Sequence, residues 1–300
     1  MIKIVEVGPR DGLQNEKQII STEDKFTFIS LLAAAGLRNI EVTSFVKAPA
    51  IPQMVDAHDL FTRVRNELSG TGGNYPCLVP NMKGYEAARA VGVKEIALFS
   101  ATSDAFTRKN INASVDESFV RMAEVAQEAK KDGVRMRGYV STAFGCPYEG
   151  RMEAGKLLRV LNRFLDLGVH EVSVGDTIGV AVPKDVRAYV REIKNEIGLG
   201  KVAMHFHDTR GMALTNILVS LEEGITTFDS SAGGLGGCPY AKGATGNVAT
   251  EDVWYLLTSQ GLETGVELAK LAEASKFILG KIGRQTESKF LRAYLATGKA

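Results

Sequence analysis

Residues 170–208, HEVSVGDTIGVAVPKDVRAYVREIKNEIGLGKVAMHFHD, contain a complete strand–helix–strand unit. HEVSVGD at 170–176 and KVAMHFHD at 201–208 are short apolar runs of strand length. Between them, PKDVRAYVREIKNEIG at 183–198 is amphipathic at helical spacing and ends on a glycine. Apolar strands separated by helices are typical of a parallel sheet that is buried on both faces.

The same unit occurs eight times along the chain. The predicted strands are IKIVEV (2–7), NIEVTSF (39–45), YPCLVP (75–80), KEIALFSA (94–101), VRMRGYVSTA (134–143), HEVSVGD (170–176), KVAMHFHD (201–208) and ITTFDSSA (225–232). An amphipathic run follows each of them, and Ser21 or Thr22 is the expected N-cap of the first helix. Eight βα units in roughly 260 residues fit a closed α/β fold, the (β/α)₈ TIM barrel. The alternative is an open Rossmann-like sheet, but no GxGxxG follows the first strand.

The C-terminal part, GVELAKLAEASKFILGKIG at 265–283, predicts one extra helix after the barrel. No Pro- or Ser-rich linker separates it from the preceding units. We therefore predict a single catalytic domain over 1–300, with the barrel in about 1–260 and a helical extension in about 261–300.

Composition excludes several classes of protein. The net charge is +1, with 24% charged residues and no long run of one sign, so we expect neither nucleic acid nor an anionic membrane as a partner. The three cysteines, Cys77, Cys146 and Cys238, form neither a disulfide framework nor a CxxC zinc motif. The N-terminus, MIKIVEVGPRDG, has no signal-peptide pattern and no apolar run is long enough to span a bilayer, so a cytoplasmic protein is expected.

The reactive side chains fall where the predicted strands end, and in such barrels the βα loops at that end form the active site. The residues concerned, in strand order, are Arg10 and Asp11, Glu41, Arg137, Asp176, His205 with His207 and Asp208, and finally Cys238 and Asn247.

His205 and His207 are two residues apart on a strand, so their rings project to the same face. They are either a metal-binding pair or two hydrogen-bonded core histidines. Asp11, from the opposite edge of a closing barrel, favours the metal. A mixed nitrogen and oxygen ligand set leaves zinc, manganese and magnesium open.

GPRDGLQNE at 8–16 places Arg10 and Asp11 side by side in a turn that two glycines and a proline constrain. The pair is either a surface ion pair of little energetic value or a permanent positive charge that stabilises an oxyanion. Glu41 lies inside an apolar strand and needs a partner, for which Arg10 or a histidine would serve. Its alternative is a position at the solvent-facing rim.

GLGGCPYAKGATGN at 234–247 is rich in glycine and lacks the GKS/GKT ending of a P-loop. Cys238 in its middle is either an acid or base that the loop delivers, or a small buried hydrophobe. Asn247 either N-caps the next helix, which local sequence favours, or offers an amide oxygen to the metal.

In chain order, GPRDGLQNE, IEVTSF, GCPYEG, GDTIGV, HFHDT and GLGGCPYAKGATGN resemble the 3-hydroxy-3-methylglutaryl-CoA lyase family along essentially the whole chain. The RDG and HxH motifs are shared with isopropylmalate and homocitrate synthases and with carboxyltransferase domains. The glycine loop that carries Cys238 is the more specific feature. The tail, GRQTESKFLRAYLATGKA at 283–300, departs from the family's usual C-terminus.

The resemblance implies a divalent metal, Mg²⁺ or Mn²⁺. The implied ligands are Asp11, His205, His207 and Asn247. It implies that Arg10 neutralises a developing enolate and that Cys238 takes part in proton transfer. It implies further that Glu41 and Asp176 shape the site and that Arg137 supports it. A homodimer and a role in leucine breakdown are also implied.

The resemblance predicts a retro-Claisen cleavage of 3-hydroxy-3-methylglutaryl-CoA to acetyl-CoA and acetoacetate. Which of Asp11, His205 and Cys238 is the base and which the acid stays open, although metal binding would make Asp11 a poor base. The alternatives are a lyase for a related 3-hydroxy-3-alkylglutaryl-CoA, a condensing synthase of the isopropylmalate or homocitrate type, and a scaffolding barrel without activity. The synthases often carry a regulatory domain after the barrel.

Overall fold

In the computed structural model of the chain, the described residues are 2–46, 51–237 and 246–298. Nine parallel strands form the main sheet, and a two-stranded hairpin lies outside it. The strands in chain order are β1 Lys3–Glu6, β2 Asn39–Ile40, β3 Thr43–Ser44, β4 Cys77–Leu78, β5 Glu95–Ala101, β6 Arg135–Ser141, β7 Gly145–Cys146, β8 Gly150–Arg151, β9 Glu171–Asp176, β10 Val202–Phe206 and β11 Thr227–Ser230.

The main sheet is closed. Its strand order is β2-β1-β11-β10-β9-β6-β5-β4-β3, and β2 and β3 are two halves of one extended segment, residues 39–44. Between them, the amide of Glu41 donates to Glu6 O at 2.9 Å on one side, and the amide of Val42 donates to Pro76 O at 2.9 Å on the other. The eight predicted strands therefore form a barrel, and the open-sheet alternative is wrong.

Helices pack around the outside of the barrel. In chain order they are α1 Thr22–Ala34, α2 Ala57–Leu68, α3 Met82–Ala90, α4 Asp104–Ile111, α5 Val115–Lys131, α6 Ala154–Asp166, α7 Pro183–Glu196, α8 Ala213–Glu223, α9 Thr250–Ser259, α10 Leu268–Ile282 and α11 Lys289–Ala296. Ser21 is the N-cap of α1 and accepts a hydrogen bond from the amide of Asp24. Gly36, with φ of +98°, ends the same unit in the left-handed region that glycine tolerates.

Two helix boundaries differ from the sequence-based prediction. The amphipathic run after the second strand, residues 52–68, begins with a short 3₁₀ turn at Pro52–Met54 before α2, and the Gln53 side chain in this turn is bonded to the backbone of Gln18 and Ile20. The C-terminal extension has two helices, α10 and α11, where one was predicted. Of these, α10 packs against α1.

Apolar side chains fill the layer between barrel and helices. Phe28, Ile29 and Leu32 of α1 are fully buried there. Gly138 in β6 allows close approach of α6, because an added Cβ would lie 2.8 Å from the ring of Phe164. Among the described residues, no helix is long and apolar enough to cross a membrane.

Candidate active site

The turn after β1 holds Arg10 and Asp11 at the carboxyl end of the barrel. It is a single π-helical turn, Gly8–Gly12, in which the amide of Asp11 donates to Val7 O at 2.7 Å. Gly12 packs so closely that an added Cβ would lie 2.7 Å from Ser231 Oγ. The chain therefore requires glycine here to bring both charged side chains to the rim.

Arg10 is 6% exposed and bridges two carboxylates, so the surface ion-pair interpretation is wrong. Its Nη1 donates to Asp11 Oδ1 at 2.6 Å, and its Nη2 lies 2.8 Å from Glu41 Oε2. Glu41, fully buried, also accepts a hydrogen bond from the Tyr139 hydroxyl at 3.0 Å. The rim alternative for Glu41 is therefore wrong, and Arg10 is the partner that its burial demanded.

His205 and His207 lie beside Asp11. Their ring centroids are 5.3 Å apart, as expected for two side chains on one face of a strand end. One ligand atom from each histidine and a carboxylate oxygen of Asp11 all lie within 4.8 Å of one another. This grouping is the only one of its kind that the described residues contain, and it joins strand ends about 195 residues apart in the chain.

Asn247 completes the group from the other side. Backbone pairing with β10, in which the amide of Asp208 donates to Gly246 O at 2.9 Å, places it opposite His207. Its Nδ2 donates to Asp11 Oδ2 at 2.9 Å. The N-cap of α9 is Ala249, so the prediction that Asn247 caps this helix is wrong.

Electrostatics set the charge of each side chain in the group. Burial would raise the pKa of the Asp11 carboxyl, but its interactions with Arg10, the histidines and Asn247 outweigh this effect and lower the pKa to about 2. Burial lowers the pKa of His207 to about 3, so this ring is neutral. For His205, burial lowers the pKa, but the hydrogen bond and charge of Asp229 more than reverse the effect.

The residues present fit a divalent cation. Asn247 Oδ1 and His207 Nδ1 are buried without a hydrogen-bond partner among the described residues. An ionised carboxylate, a neutral imidazole and a free amide oxygen are suitable ligands for such an ion.

Asp176 ends β9, where both of its oxygens are occupied by backbone groups. Oδ1 accepts from the amide of Val180 at 2.9 Å and Oδ2 from that of Ala181 at 3.0 Å. Burial raises its pKa to about 6 even though these bonds favour the charged form. Asp176 thus holds the loop after β9 in place at the rim.

Cys238 lies outside the described residues.

Arg137 lies deeper in the barrel than Arg10. Its Nη2 donates to Asp229 Oδ1 at 2.7 Å and its Nε to Glu171 Oε1 at 2.8 Å. The Tyr139 ring lies between the two arginines, with its centroid 5.3 Å from the guanidinium carbon of Arg10 and 5.0 Å from that of Arg137.

Sequence reasoning did not identify Tyr139 or Asp229. For Asp229 the signal was present, since it is a carboxylate inside an apolar strand, as Glu41 is.

Two further buried carboxylates, also missed, hold the backbone around the rim. Glu6 Oε1 accepts from the amides of Gly8, at 2.8 Å, and Ala232, at 3.0 Å, so it connects the first and last loops. Glu251 accepts from the amide of Gly233 at 3.0 Å. Burial raises the pKa of Glu6 and of Glu251 to about 7.

With this geometry established, comparison with known proteins gives consistent matches. The HMGL-like family matches residues 1–278. A Rattus norvegicus relative, the mitochondrial hydroxymethylglutaryl-CoA lyase, is 49% identical over 97% of this chain and 89% of its own. A Danio rerio relative, the cytoplasmic 3-hydroxy-3-methylglutaryl-CoA lyase, is 47% identical over 97% of this chain and 86% of its own.

A solved structure gives the same result in three dimensions. It is an HMG-CoA lyase from Acinetobacter baumannii in complex with coenzyme A and 3-methylmalate. It is 33% identical and has a TM-score of 0.92, with 98% of this chain and 95% of that chain covered. This chain therefore belongs to the HMGL-like family.

Proposed function

We propose that this chain is a hydroxymethylglutaryl-CoA lyase that cleaves 3-hydroxy-3-methylglutaryl-CoA to acetyl-CoA and acetoacetate. It is a carbon–carbon lyase on a TIM barrel, as its relatives are. The observation that carries the proposal is the buried Arg10 guanidinium beside the cluster of Asp11, His205 and His207. That arrangement sets a permanent positive charge next to a cation site, as the cleavage of a hydroxyacyl thioester requires.

The proposed ligands for Mg²⁺ or Mn²⁺ are Asp11, His205, His207 and Asn247. Three of them are already within 4.8 Å of one another, and the fourth, Asn247, offers a buried oxygen that has no hydrogen-bond partner in the described part of the chain. When bound, a divalent cation lowers the pKa of the C3 hydroxyl and orients the substrate.

In the reaction, a base removes the C3 hydroxyl proton and the electron pair of the C2–C3 bond moves to C2. The resulting acetyl-CoA enolate carries its charge on the thioester oxygen, where Arg10 stabilises it. A proton added at C2 gives acetyl-CoA, and C3 becomes the ketone of acetoacetate. Glu41 holds Arg10 in position through the 2.8 Å contact between Oε2 and Nη2.

The proton carriers are proposed from the remaining groups. Asp11, with a pKa of about 2, is a weak base at neutral pH. Cys238, assigned from sequence alone, is the better candidate for moving protons, because His205 is proposed to use one ring nitrogen for the metal and the other for Asp229. Asp176 is proposed to shape the site by holding the adjoining loop, and Arg137 to support it from below.

We place the CoA part of the substrate in a cavity of about 570 Å³ beside the rim. Lys17 and Arg284 line it together with Gly236 and Gly237, which lead into the glycine-rich loop. The basic side chains of Lys17 and Arg284 suit the phosphates of coenzyme A, and Arg284 also pairs with Glu16 on the cavity wall. The Acinetobacter baumannii relative binds coenzyme A, which supports an acyl-CoA substrate here.

A turnover assay on metal-stripped protein tests the proposal. Cleavage of 3-hydroxy-3-methylglutaryl-CoA should be lost on chelation and restored by Mg²⁺ or Mn²⁺. A panel of 3-hydroxy-3-alkylglutaryl-CoA thioesters tests the alternative substrates. Failure to cleave every member of the panel with metal present would refute the proposed function.

The condensing synthase is not favoured, because the relatives named above are lyases. The products distinguish the two reactions. A lyase releases acetyl-CoA and no free thiol, whereas a synthase consumes acetyl-CoA and releases the CoA thiol, which a thiol reagent detects.

We further propose a single domain over 1–300 that forms a homodimer in the cytoplasm and acts in leucine breakdown. Contact between α10 and α1 supports the single domain. The cytoplasmic relative supports the location, although the rat relative is mitochondrial. Light scattering should give twice the chain mass of 32.3 kDa, and cell fractionation should place the protein in the cytosol.

A further inference from the structure

The carboxylate of Asp229 lies in the barrel interior, directly behind His205. It is 1% exposed, and its residue is paired in register with His205 across β10 and β11. His205 Nδ1 is 3.3 Å from Asp229 Oδ2. The same oxygen accepts a hydrogen bond from Ser173 Oγ at 2.7 Å. His205 is therefore engaged through Nδ1, which leaves Nε2 as the ring nitrogen available to a metal.

Asp229 is itself fixed from below. The Arg137 guanidinium donates to both of its oxygens, at 2.7 and 3.2 Å, as a two-pronged contact. The third nitrogen of this guanidinium, Nε, donates to Glu171, which in turn pairs with Lys3. We call Lys3, Glu171, Arg137 and Asp229 the ionic column. Its charges alternate in sign from one end of the barrel to the back of His205.

We infer that Asp229 is a positioning residue for His205, an assignment that rests on the proposed function because His205 is a proposed metal ligand. A carboxylate that accepts the Nδ1–H of a histidine fixes the ring orientation and the tautomer, so that the Nε2 lone pair points at the metal. His207 contrasts with it, because its Nδ1 has no hydrogen-bond partner among the described residues. The ionic column thus holds one imidazole in place before the metal arrives.

The column also explains how a carboxylate persists at this depth. A buried charge is stable only where it is paired and hydrogen-bonded. Three donors from Arg137 and Ser173 meet the two oxygens of Asp229. A change that removes one of these donors without removing the charge should loosen Asp229 and therefore His205.

Mn²⁺ binding, measured on the full-length protein by the electron paramagnetic resonance of the free ion, tests the inference. Asp229→Asn should weaken Mn²⁺ affinity by about 10- to 100-fold. Ser173→Ala, which removes a single donor, should weaken it by about 2- to 10-fold and keeps the result interpretable if Asp229→Asn folds poorly. The matched control is Glu95→Gln, a buried barrel carboxylate that contacts Arg135 and His170 and not Asp229. It should bind Mn²⁺ as the wild type does.

Nitrogen-15 spectra of histidine-labelled protein provide a second readout. The chain has only four histidines, so each can be assigned by single substitution. In the Mg²⁺-saturated wild type, His205 should carry its proton on Nδ1, and Ser173→Ala should weaken the hydrogen-bond signature of that proton.

Different outcomes would refute the proposed metal site and the positioning role of Asp229. A wild type that binds no Mn²⁺ would refute the proposed metal and with it this inference. A wild type that binds Mn²⁺ while Asp229→Asn and Ser173→Ala bind it equally well would overturn the inference alone. A loss as large in Glu95→Gln would reduce Asp229 to a general contributor to folding and overturn it as well.

Discussion

Replacing Gly246 with alanine separates the two ends of the glycine-rich segment, which touch beside Asn247. Gly246 has φ of +90°, where an L side chain costs about 1–3 kcal/mol. An added Cβ would lie 2.6 Å from the carbonyl carbon of Gly236 and 2.8 Å from the amide nitrogen of Gly237. Carbon contacts are normally about 3.5–4.0 Å, so one backbone segment has to move by about 1 Å.

That movement affects the proposed metal site, because Asn247 follows Gly246 directly. Asn247 Nδ2 is 2.9 Å from Asp11 Oδ2, and a displacement of about 1 Å takes this pair beyond hydrogen-bond range. A misplacement of this size costs about 100-fold in rate at a catalytic centre. We expect turnover to fall by about 100-fold and Mn²⁺ affinity to fall with it, as measured by steady-state kinetics and Mn²⁺ titration.

Gly133→Ala is the matched control. Gly133 also has a positive φ, +65°, but nothing lies within 4 Å of its added Cβ, so the variant has the backbone strain without the clash. It should unfold at a lower temperature yet keep wild-type turnover and Mn²⁺ affinity. The reasoning is refuted if Gly246→Ala binds Mn²⁺ and turns over normally, or if Gly133→Ala loses as much.

Three more changes have defined outcomes. Arg10→Lys keeps the positive charge, but one ammonium group cannot bridge Asp11 and Glu41. The kcat should therefore fall about 100- to 1000-fold, and a kcat near that of the wild type would contradict the role of Arg10 in stabilising the oxyanion. In Glu251, burial raises the pKa from 4.5 to about 7, so the folded state binds the proton more tightly and this group's contribution to stability decreases as the pH rises through that interval. From pH 5 to pH 8 this contribution to the free energy of unfolding decreases by about 2.5 kcal/mol. Over the same interval, denaturant unfolding should show the stability of Glu251→Gln rising by about that amount relative to the wild type. A difference between the two proteins that does not change with pH would disprove the assignment. Cys238→Ser should lower turnover far more than metal content, and equal turnover would remove Cys238 from the mechanism.

The barrel was predictable because its signals are local and repeated. Each strand run and each amphipathic run can be read from consecutive residues, and eight repetitions leave few arrangements. The details that sequence missed depend on distant partners. In the 3₁₀ turn at Pro52–Met54, Gln53 bonds to the backbone of Gln18 and Ile20, a distant contact that no local pattern records.

Part of the site was predictable for a reason of topology. In a closed parallel barrel every strand ends at the same rim, so Asp11 and the two histidines were expected to meet, and the structure places them together. Asn247 was harder, because its local sequence favours a helix cap. Its actual position follows from pairing of residues 246–248 with the end of β10, a contact between segments that sequence spacing does not specify.

The buried charges show where sequence reasoning stops. A carboxylate such as Glu41 or Asp229 inside an apolar strand predicts a cationic partner. Among the described residues two arginines are buried, Arg10 and Arg137, and only the strand register assigns each one to its carboxylates. Arg10 pairs with Glu41 at the rim, and Arg137 pairs with Asp229 one layer below, with the Tyr139 ring within 5.3 Å of both guanidinium groups. Each arginine has two carboxylate partners, so removing any one carboxylate leaves a buried guanidinium only partly compensated. The rim layer, Arg10 with Glu41, contacts Asp11, and the lower layer, Arg137 with Asp229, contacts His205. The two layers therefore position different proposed metal ligands. Both layers contact Tyr139 and hold ligands of the same proposed ion, so a double variant should show non-additive losses in Mn²⁺ binding free energy.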